Sequence, residues 1–572
     1  MRRLIGGSNF GPNGVIVPNV RLLRALLVLL ATAAVAAAYL HGRADKGGIP
    51  KNAVHVQFAY SSNLDELMAA LIPAFNDARI EVSGRPVYVD GLAASSGEAE
   101  TKIARGQLQP AAWSPASSLW GLLLNQEADK QFIAEKNPSL AASPVVIAMW
   151  EPLARALGWP KKSIGFADIL RLATTDSHWS KYGKPTFGTF KLGHTNPDFS
   201  TAGLSFVAAQ YYTAANKTEG LTLADVQSPA VRKKVRAIQQ SIVHYGDKGE
   251  FFAQQLAKHG PGYASAVAIE ETTLIEFNQK RPPGSMKLVA LYPAEGTFMT
   301  DNPYLVLNAP WVTPQVRQGA NAFGAWLERK LTPKVLAQYR YRSGEPGTKP
   351  GAPVTAANGA DPAQPRRLLK LPDRTVLAAI KKAWHEDRKP ANVLLVVDVS
   401  GSMNEEDKIG HARQGLQRFL REFSPRDRVG LTIFDSTTRA IIPIAAMSTN
   451  APLLRSSIAD LVASGSTALY DATAAAWNAV DALKDDTRIN AVVVLSDGAD
   501  TASTQNELSD LLRQLRARGN GEGRQVRIFT IAYGSDANGD VLDKIAAASG
   551  GNSYSGDPKT IEKVYLQISS FF

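Results

Sequence analysis

Four runs of branched and aromatic apolar residues recur in the last third of this 572-residue chain, each followed by a polar or amphipathic segment. The runs are NVLLVVD from Asn392, DRVGLTIFD from Asp427, INAVVVLSDG from Ile489 and QVRIFTIAYG from Gln525. A continuous apolar run is typical of a strand that is buried on both faces of a parallel sheet. Because strands that alternate with helices build a doubly wound sheet between two helical layers, the sequence predicts an α/β domain over residues 391–572.

Small oxygen-bearing side chains follow three connections of this predicted sheet. Asp398, Ser400 and Ser402 come directly after the first strand. Thr467 follows the turn VASG, and Asp497 follows the strand AVVVLS. Since doubly wound sheets bind ligands at the carboxyl ends of their strands, we expect these five side chains to lie close together. Carboxylate and hydroxyl oxygens suit Mg²⁺, Mn²⁺ or Ca²⁺ rather than Zn²⁺ or Cu²⁺, so the pattern predicts a site for a hard divalent cation.

The segments DVSGS, GSTALYDA and LSDG resemble the metal-ion-dependent adhesion site of von Willebrand factor type A domains. The resemblance covers residues 392–572 in the order and spacing of that family. It implies that three hydroxyl groups ligate the ion, those of Ser400, Ser402 and Thr467. It implies that two carboxylates act close by, often through water, those of Asp398 and Asp497. A Glu or Asp of a partner protein typically completes the coordination, which indicates a binding module rather than an enzyme.

Two other interpretations of these residues stay open. Asp398, Ser400 and Ser402 could cap the helix that follows, and Asp497-Gly498 could form a turn. An aspartate at the end of a first parallel strand is also the nucleophile of phosphoryl-transfer hydrolases of the haloacid-dehalogenase type. Those enzymes usually carry a second acidic residue two positions further on, where this chain has Ser400, and no general base is evident nearby.

The region before this domain repeats one pattern: a strand, a polar turn rich in serine, and a helix. Serines at the start of a helix leave backbone N–H groups and hydroxyls free to bind an anion. The candidate ligand-binding residues are Ser61, Ser62, Ser95, Ser96, Ser117 and Ser200. Glu270 and Glu271 end another strand of this region; they would repel an anion and could instead form contacts between lobes.

Four segments of this region are similar to the extracellular solute-binding proteins of bacterial uptake systems. They are AYSSNLDELMAALIPAFN, SPVVIAMWEPLARALGW, HTNPDFSTAGLS and LVALYPAEGTFMTDNPYLVL. The resemblance implies a periplasmic-binding-protein-like domain of two α/β lobes around a ligand cleft, closest to the branch that binds tetrahedral oxyanions. We place it at residues 52–388, including a Pro- and Gly-rich loop at 343–365. The helix predicted after that loop either closes this domain or bridges to the last one.

The segment NVRLLRALLVLLATAAVAAAYLHGR is apolar enough for a membrane. Residues 22–41 would form a helix of roughly 30 Å, which can cross the hydrocarbon core. More basic residues precede the segment than follow it, which favours a cytoplasmic segment at 1–21 and a body on the outside. A cleavable signal peptide is the alternative, because small-residue cleavage sites occur within the segment. In both cases we expect the bulk of the protein in the periplasm or outside the cell.

The composition excludes several kinds of site. The chain has no cysteine, which excludes disulfides, zinc fingers, iron–sulfur clusters and a cysteine nucleophile.

The net charge is +11, but residues 391–572 contain 18 Lys and Arg against 22 Asp and Glu, so the positive excess lies in the rest of the chain. Basic and aromatic residues do not alternate, so no nucleic-acid binding is predicted. The expected partners are the membrane, an acidic group of another protein and a small anion.

The sequence therefore leaves three hypotheses for function, of which the phosphoryl-transfer hydrolase described above is the least favoured. In the first, the protein is a single-pass membrane protein that adheres or assembles through a divalent cation in its last domain. In the second, it is a solute-binding receptor or a transport-associated protein, and the last domain is its docking module.

Overall fold

The computed structural model describes residues 49–50, 52–134, 137–345, 347–519 and 526–572. The predicted membrane segment at 22–41 and the predicted cytoplasmic segment at 1–21 lie outside these residues. Among the helices that the structure describes, none is long and apolar enough to cross a membrane.

The region up to residue 342 is a mixture of short strands and helices. Its strands are β1 (Val54–Ser61), β2 (Glu81–Val82), β3 (Arg85–Ala94), β4 (Ala112–Ser114), β5 (Ser143–Trp150), β6 (Leu192–His194), β7 (Ala266–Glu270), β8 (Leu288–Leu291), β9 (Met299–Thr300) and β10 (Leu305–Val306). Its helices are α1 (Asp65–Asp77), α2 (Ser96–Ala104), α3 (Ser118–Glu127), α4 (Glu151–Ala156), α5 (Phe166–Thr174), α6 (Thr201–Ala214), α7 (Leu223–Gln227), α8 (Pro229–Gln240), α9 (Gly249–His259), α10 (Glu271–Lys280), α11 (Pro314–Lys330) and α12 (Pro333–Gln338).

Two separate sheets divide this region into two lobes, as predicted. Lobe 1 has the strand order β10-β4-β1-β3-β2, and lobe 2 has the order β6-β7-β5-β8 with β9 beside β5. In lobe 1, β1 is parallel to β3 and β4. In lobe 2, β5 is antiparallel to β7 and β8. Because β10 returns to lobe 1 after β9 has paired in lobe 2, the chain has crossed between the lobes twice by β10.

The carboxy-terminal domain is a six-stranded sheet covered by helices. Helix α13 (Arg374–Asp387) leads into it. The strands are β11 (Ala391–Asp398), β12 (Arg428–Phe434), β13 (Thr438–Ala446), β14 (Ile489–Ser496), β15 (Val526–Tyr533) and β16 (Ser553–Gly556). The helices are α14 (Lys408–Phe419), α15 (Met447–Ala459), α16 (Leu469–Asp481), α17 (Leu508–Gly519), α18 (Gly539–Ala548) and α19 (Ile561–Ser569). The strand order is β13-β12-β11-β14-β15-β16, and β13 is the single antiparallel strand of this sheet.

The central strand β11 is buried along its whole length because both of its faces are covered. Val393, Leu395 and Val397 point into one hydrophobic cluster, and Leu394 and Val396 point into another. This alternation follows from the period of two residues in a strand. The continuous apolar run of the sequence is thus explained by helices on both sides of the sheet.

The carboxy-terminal domain shares a hydrophobic core with lobe 2. One continuous cluster of buried side chains includes Ile269 of lobe 2 and Leu395 of the last sheet. Phe571 is fully buried in it and lies 4.9 Å from Phe251 and 4.7 Å from Phe529, measured between ring centroids. The backbone N–H of Tyr245 donates to the carbonyl of Phe571 at 3.3 Å. The last residues of the chain therefore join the two parts.

Helix α13 lies between both lobes and the last domain. Its Leu377 belongs to the core of lobe 1, whereas Trp384 belongs to the core shared with lobe 2. Asp387, at its end, accepts hydrogen bonds from Tyr211 at 3.1 Å and from Arg232 at 2.7 Å. Of the two roles that the sequence left open for this helix, the contacts favour the bridge.

Candidate functional site

The predicted metal-binding side chains lie at the carboxyl edge of the last sheet. Strand β11 ends at Asp398, and its parallel neighbour β14 ends one residue before Asp497. The N–H of Ser400 donates to Asp398 Oδ1 at 2.9 Å. The hydroxyls of Ser400 and Ser402 are 3.1 Å apart, and Ser402 Oγ donates to Asp497 Oδ1 at 2.8 Å. Four of the five residues therefore form one connected polar cluster.

Thr467 comes from a different loop that is tied to this cluster. The N–H of Gly401 donates to the carbonyl of Gly465 at 2.9 Å. On its other side, the N–H of Thr467 donates to Thr501 Oγ1 at 3.0 Å. A Cβ atom built on Gly498 would lie 3.7 Å from Thr467 Oγ1, so the threonine hydroxyl faces the loop after β14. The structure thus brings all five predicted residues to one edge of the sheet.

The donor atoms fit a small, hard cation. With Mg–O distances of roughly 2.0–2.1 Å, neighbouring ligands of an octahedron lie about 2.9 Å apart. The separations of 3.1 Å between the two serine hydroxyls and 2.8 Å between Ser402 and Asp497 are close to that value. No group of three or more His, Asp or Glu side chains in the described ranges could hold a metal ion. Hydroxyl groups would therefore supply part of the ligand set here.

Lys408, the first residue of α14, is a buried cation beside this cluster. Its Nζ donates to Asp497 Oδ2 at 2.9 Å, and its side chain is only 3% exposed. Burial alone would lower the pKa of Lys408, but the hydrogen bond and charge of Asp497 outweigh it, so the pKa is raised. Gly534, with φ of +90°, lets the backbone pass close to the Lys408 side chain. Asp497 thus faces Ser402 with one oxygen and Lys408 with the other.

Asp398 is fully buried, and both of its carboxylate oxygens accept hydrogen bonds. Oδ1 accepts from the N–H of Ser400, and Oδ2 accepts from Ser496 Oγ at 2.6 Å. Burial raises the pKa of Asp398 to about 6, and the nearby charge of Asp497 acts in the same direction. Both oxygens therefore have partners within the protein, which suits a supporting carboxylate behind the serines.

Five of the six predicted ligand-binding serines lie in the cleft between the lobes. A cavity of about 230 Å³ is lined by residues that include Ser61, Ser62, Ser95, Ser96 and Ser200. Ser117 is not among them; it is fully buried, and its Oγ accepts the N–H of Leu119 at 3.3 Å at the start of α3. The structure therefore gathers the serines of three strand–helix junctions, and it gives Ser117 the role of a helix cap.

Acidic side chains line the same cavity. Glu270, at the end of β7, lies beside Glu250 and Asp247 in its wall. Burial, and then the charge of Glu250, raise the pKa of Glu270 to about 8. Burial also raises the pKa of Glu250. Glu271 instead contacts Arg342 at 2.7 Å, which matches the alternative that this residue joins parts of the fold.

Several residues of these two sites were not found from the sequence. Lys408 was not singled out from the sequence, because a lysine at the start of a helix is usually exposed. Lys563 and Gln567 of α19 line the cleft between the lobes, although they are nearly 300 residues from β7 in the sequence. The position of Lys408, six residues after Ser402, was a sequence feature that could have placed it near the site. Nothing in the sequence of α19 indicated that Lys563 and Gln567 line the cleft.

A six-stranded, almost wholly parallel sheet with an oxygen-lined site at its carboxyl edge defines the class of the last domain. Residues 392–565 match the family described as von Willebrand factor type A domain. This match confirms the predicted domain, and this part of the chain is a type A domain.

Two relatives are similar in sequence to parts of this chain. Inter-alpha-trypsin inhibitor heavy chain H4 of Homo sapiens is 30% identical over 169 residues, which are 28% of this chain and 18% of that protein. An uncharacterized protein of Mycobacterium tuberculosis is 23% identical over 339 residues, which are 57% of this chain and 46% of that protein. The second match is longer than the type A domain and so extends beyond it. The chain spans less than half the length of these relatives.

Solved structures are similar to the chain at low sequence identity. The periplasmic binding protein AfuA from Actinobacillus pleuropneumoniae, with fructose-6-phosphate bound, is 12% identical with a TM-score of 0.40. The match covers 59% of this chain and 99% of that one. The two lobes of the present protein are defined by its own strand order and chain crossings.

Proposed function

We propose that this is a membrane-anchored binding protein of the periplasm or cell exterior, whose type A domain captures an acidic group of a partner protein through a divalent cation. Ser400, Ser402 and Thr467 would hold the ion, Mg²⁺ in first place and Mn²⁺ or Ca²⁺ as alternatives, with Asp398 and Asp497 close by. The proposal is supported by one observation above all, the spacing of the serine hydroxyls and the Asp497 carboxylate. The anchor rests on the apolar sequence of residues 22–41.

The charge of the site favours an anionic partner group. The five predicted residues carry two carboxylates, and one of them already pairs with Lys408. When bound, a divalent ion supplies an electron-poor centre that accepts a further oxygen ligand. Because the side chains around the ion would neutralise only part of its positive charge, a carboxylate of another protein would be attracted to the ion.

The test removes one ligand hydroxyl and leaves the fold in place. The full chain carrying Ser400→Ala is compared with wild type and with Ser456→Ala, an exposed serine of α15 that serves as the matched control. Titration calorimetry measures Mg²⁺ binding, and co-purification from a cell-envelope fraction measures partner capture. We expect Ser400→Ala to lose both, and EDTA to release the partner from wild type and from the control.

The proposal fails if EDTA and Ser400→Ala both leave every interaction unchanged. Loss of capture with undiminished Mg²⁺ binding would also contradict it, because capture would then not depend on a ligand of the ion. We propose no catalytic role for this site.

A second candidate function is favoured by the cleft between the lobes. A cavity of about 230 Å³ at the ends of several strands is the usual place for a small solute. In this alternative the protein is a solute-binding receptor or a transport-associated protein, and the type A domain docks it to other components.

A further inference from the structure

The cleft between the lobes has a third wall that comes from the type A domain. Lobe 1 contributes Ser61 and Ser96, and lobe 2 contributes Glu250 and Glu270. Helix α19, the last helix of the chain, contributes Lys563 and Gln567. The cavity is therefore built jointly by all three parts of the protein.

Helix α19 is held in this position by packing on both sides. On the type A side, Tyr565 is fully buried and stacks on Phe419 of α14 at 5.0 Å between ring centroids. On the lobe 2 side, Phe571 packs against Phe251. The wall is thus a fixed part of the fold.

Acidic side chains line the interior of this cavity. Glu270 is 7% exposed, and within the described part of the chain neither a hydrogen bond nor an ion pair reaches its carboxyl group. Two further acids, Glu250 and Asp247, lie in the same wall. The two lysines of the lining, Lys248 and Lys563, are exposed.

A buried acid without a partner is unfavourable, because a carboxylate removed from water needs a counter-charge or a hydrogen-bond donor. An ammonium or guanidinium group between Glu250 and Glu270 supplies both. A phosphate or sulfate in the same place would face like charge. The volume of about 230 Å³ restricts the ligand to a small solute.

We propose that the cleft binds a small organic cation, an alkylammonium or guanidinium solute, between Glu250 and Glu270, with helix α19 of the type A domain as one wall of the site. The serine hydroxyls of lobe 1 would accept the remaining N–H groups of the ligand. The ligand class differs from the small anion that the sequence predicted. This site does not depend on the metal site, so each can fail without the other.

The experiment uses calorimetric titration of the full chain in EDTA, so that the metal site has no part in the result. Agmatine and spermidine are the cationic probes, and inorganic phosphate is the anionic probe. Glu270→Gln removes the carboxyl group of the interior, and Lys563→Gln removes a positive charge of the α19 wall. The matched controls are Glu328→Gln in α11 and Lys559→Gln, both at exposed positions.

We expect wild type to bind at least one of the two cations and not phosphate. Glu270→Gln should weaken cation binding by about thirtyfold or more, as expected for the loss of one partner of a buried charge pair. Lys563→Gln should strengthen it by about threefold, because a repulsive surface charge is removed. Both controls should bind as wild type does.

Three results would contradict binding of an organic cation in the cleft. If phosphate binds, if Glu270→Gln strengthens binding, or if neither cation binds wild type, the site is not one for an organic cation. If Lys563→Gln behaves as Lys559→Gln does, the type A domain is not a wall of the site. A circular dichroism spectrum of each variant checks that it is folded.

Discussion

Lys408 sets the charge balance of the candidate metal site. Its ammonium group lies 2.9 Å from Asp497 Oδ2, and both side chains are almost completely buried. A buried ion pair that loses one partner leaves the other charge uncompensated, which typically costs about 3–5 kcal/mol. A divalent cation at the serine cluster would be a second source of positive charge for Asp497. Lys408 and the ion therefore act on the same carboxylate.

The substitution Lys408→Met separates these two sources of charge. Without metal, we expect the free energy of unfolding to fall by about 3 kcal/mol, because Asp497 stays buried without its partner. With Mg²⁺ in excess, we expect most of that loss to be recovered, and the variant to gain more from Mg²⁺ than wild type does. Chemical denaturation in EDTA and in Mg²⁺ measures both values.

The control for this experiment is Lys544→Met, an exposed lysine of α18. It removes a positive charge from the same domain without uncovering a buried carboxylate, so its stability should respond to Mg²⁺ as that of wild type does. Equal stabilisation of Lys408→Met and wild type by Mg²⁺ would show that the ion does not interact with Asp497.

Glu270 gives the stability of the protein a dependence on pH. Its pKa in the folded protein is about 8, against 4.5 when exposed, because it is buried and faces Glu250. An acid whose pKa is raised by folding contributes most to stability at pH values below its pKa in the unfolded chain. That contribution is lost as the pH rises through its pKa in the folded protein. We therefore expect wild type to lose stability relative to Glu270→Gln between pH 5 and pH 8. At about 1.4 kcal/mol per pH unit, the difference should reach about 4 kcal/mol over these three units in denaturant titrations.

Glu328→Gln is the control for the pH profile, because this glutamate of α11 is exposed. Its profile should run parallel to that of wild type over the whole range. If the profile of Glu270→Gln also runs parallel to wild type, Glu270 ionises as an exposed carboxyl group does, and the cavity is open to water at that position.

At the scale of single elements, the strands of the type A sheet were predictable because each carries its own signal. Runs such as residues 393–397 are apolar on both faces, and helices do cover both faces of β11. The antiparallel edge strand β13 was likewise predictable, since its polar and apolar residues indicate a strand with one exposed side. The location of the five predicted metal-site residues followed from the positions at which these strands end.

Other elements were not predictable, because their position depends on contacts between distant parts of the chain. Helix α19 has an ordinary amphipathic sequence, and nothing in it indicates that Lys563 borders a cavity of the two lobes. The serine pattern predicted the cleft of lobe 1 and lobe 2, whereas Ser117 lies outside the cavity and caps the start of α3. Serine is favoured both in ligand sites and in caps, so the sequence alone does not separate the two.

On the scale of the whole molecule, lobe 2 and the type A domain form one structural unit. Their hydrophobic cores are continuous, and Phe571 lies at the junction between Phe251 and Phe529. Arg527 of the type A sheet lies over the ring of Tyr263 at 4.5 Å. Domains joined by such a core are expected to unfold together, whereas domains joined by a linker unfold independently.

The substitution Phe571→Ala tests this unit. Truncation of a buried phenylalanine typically costs about 3–5 kcal/mol, and here the lost contacts belong to both parts. We expect hydrogen exchange measured by mass spectrometry to become faster in α9, which carries Phe251, as well as in β15, which carries Phe529. Val462→Ala, a 72% exposed residue, is the control and should change neither. Faster exchange in β15 alone would mean that lobe 2 and the type A domain do not unfold as one unit.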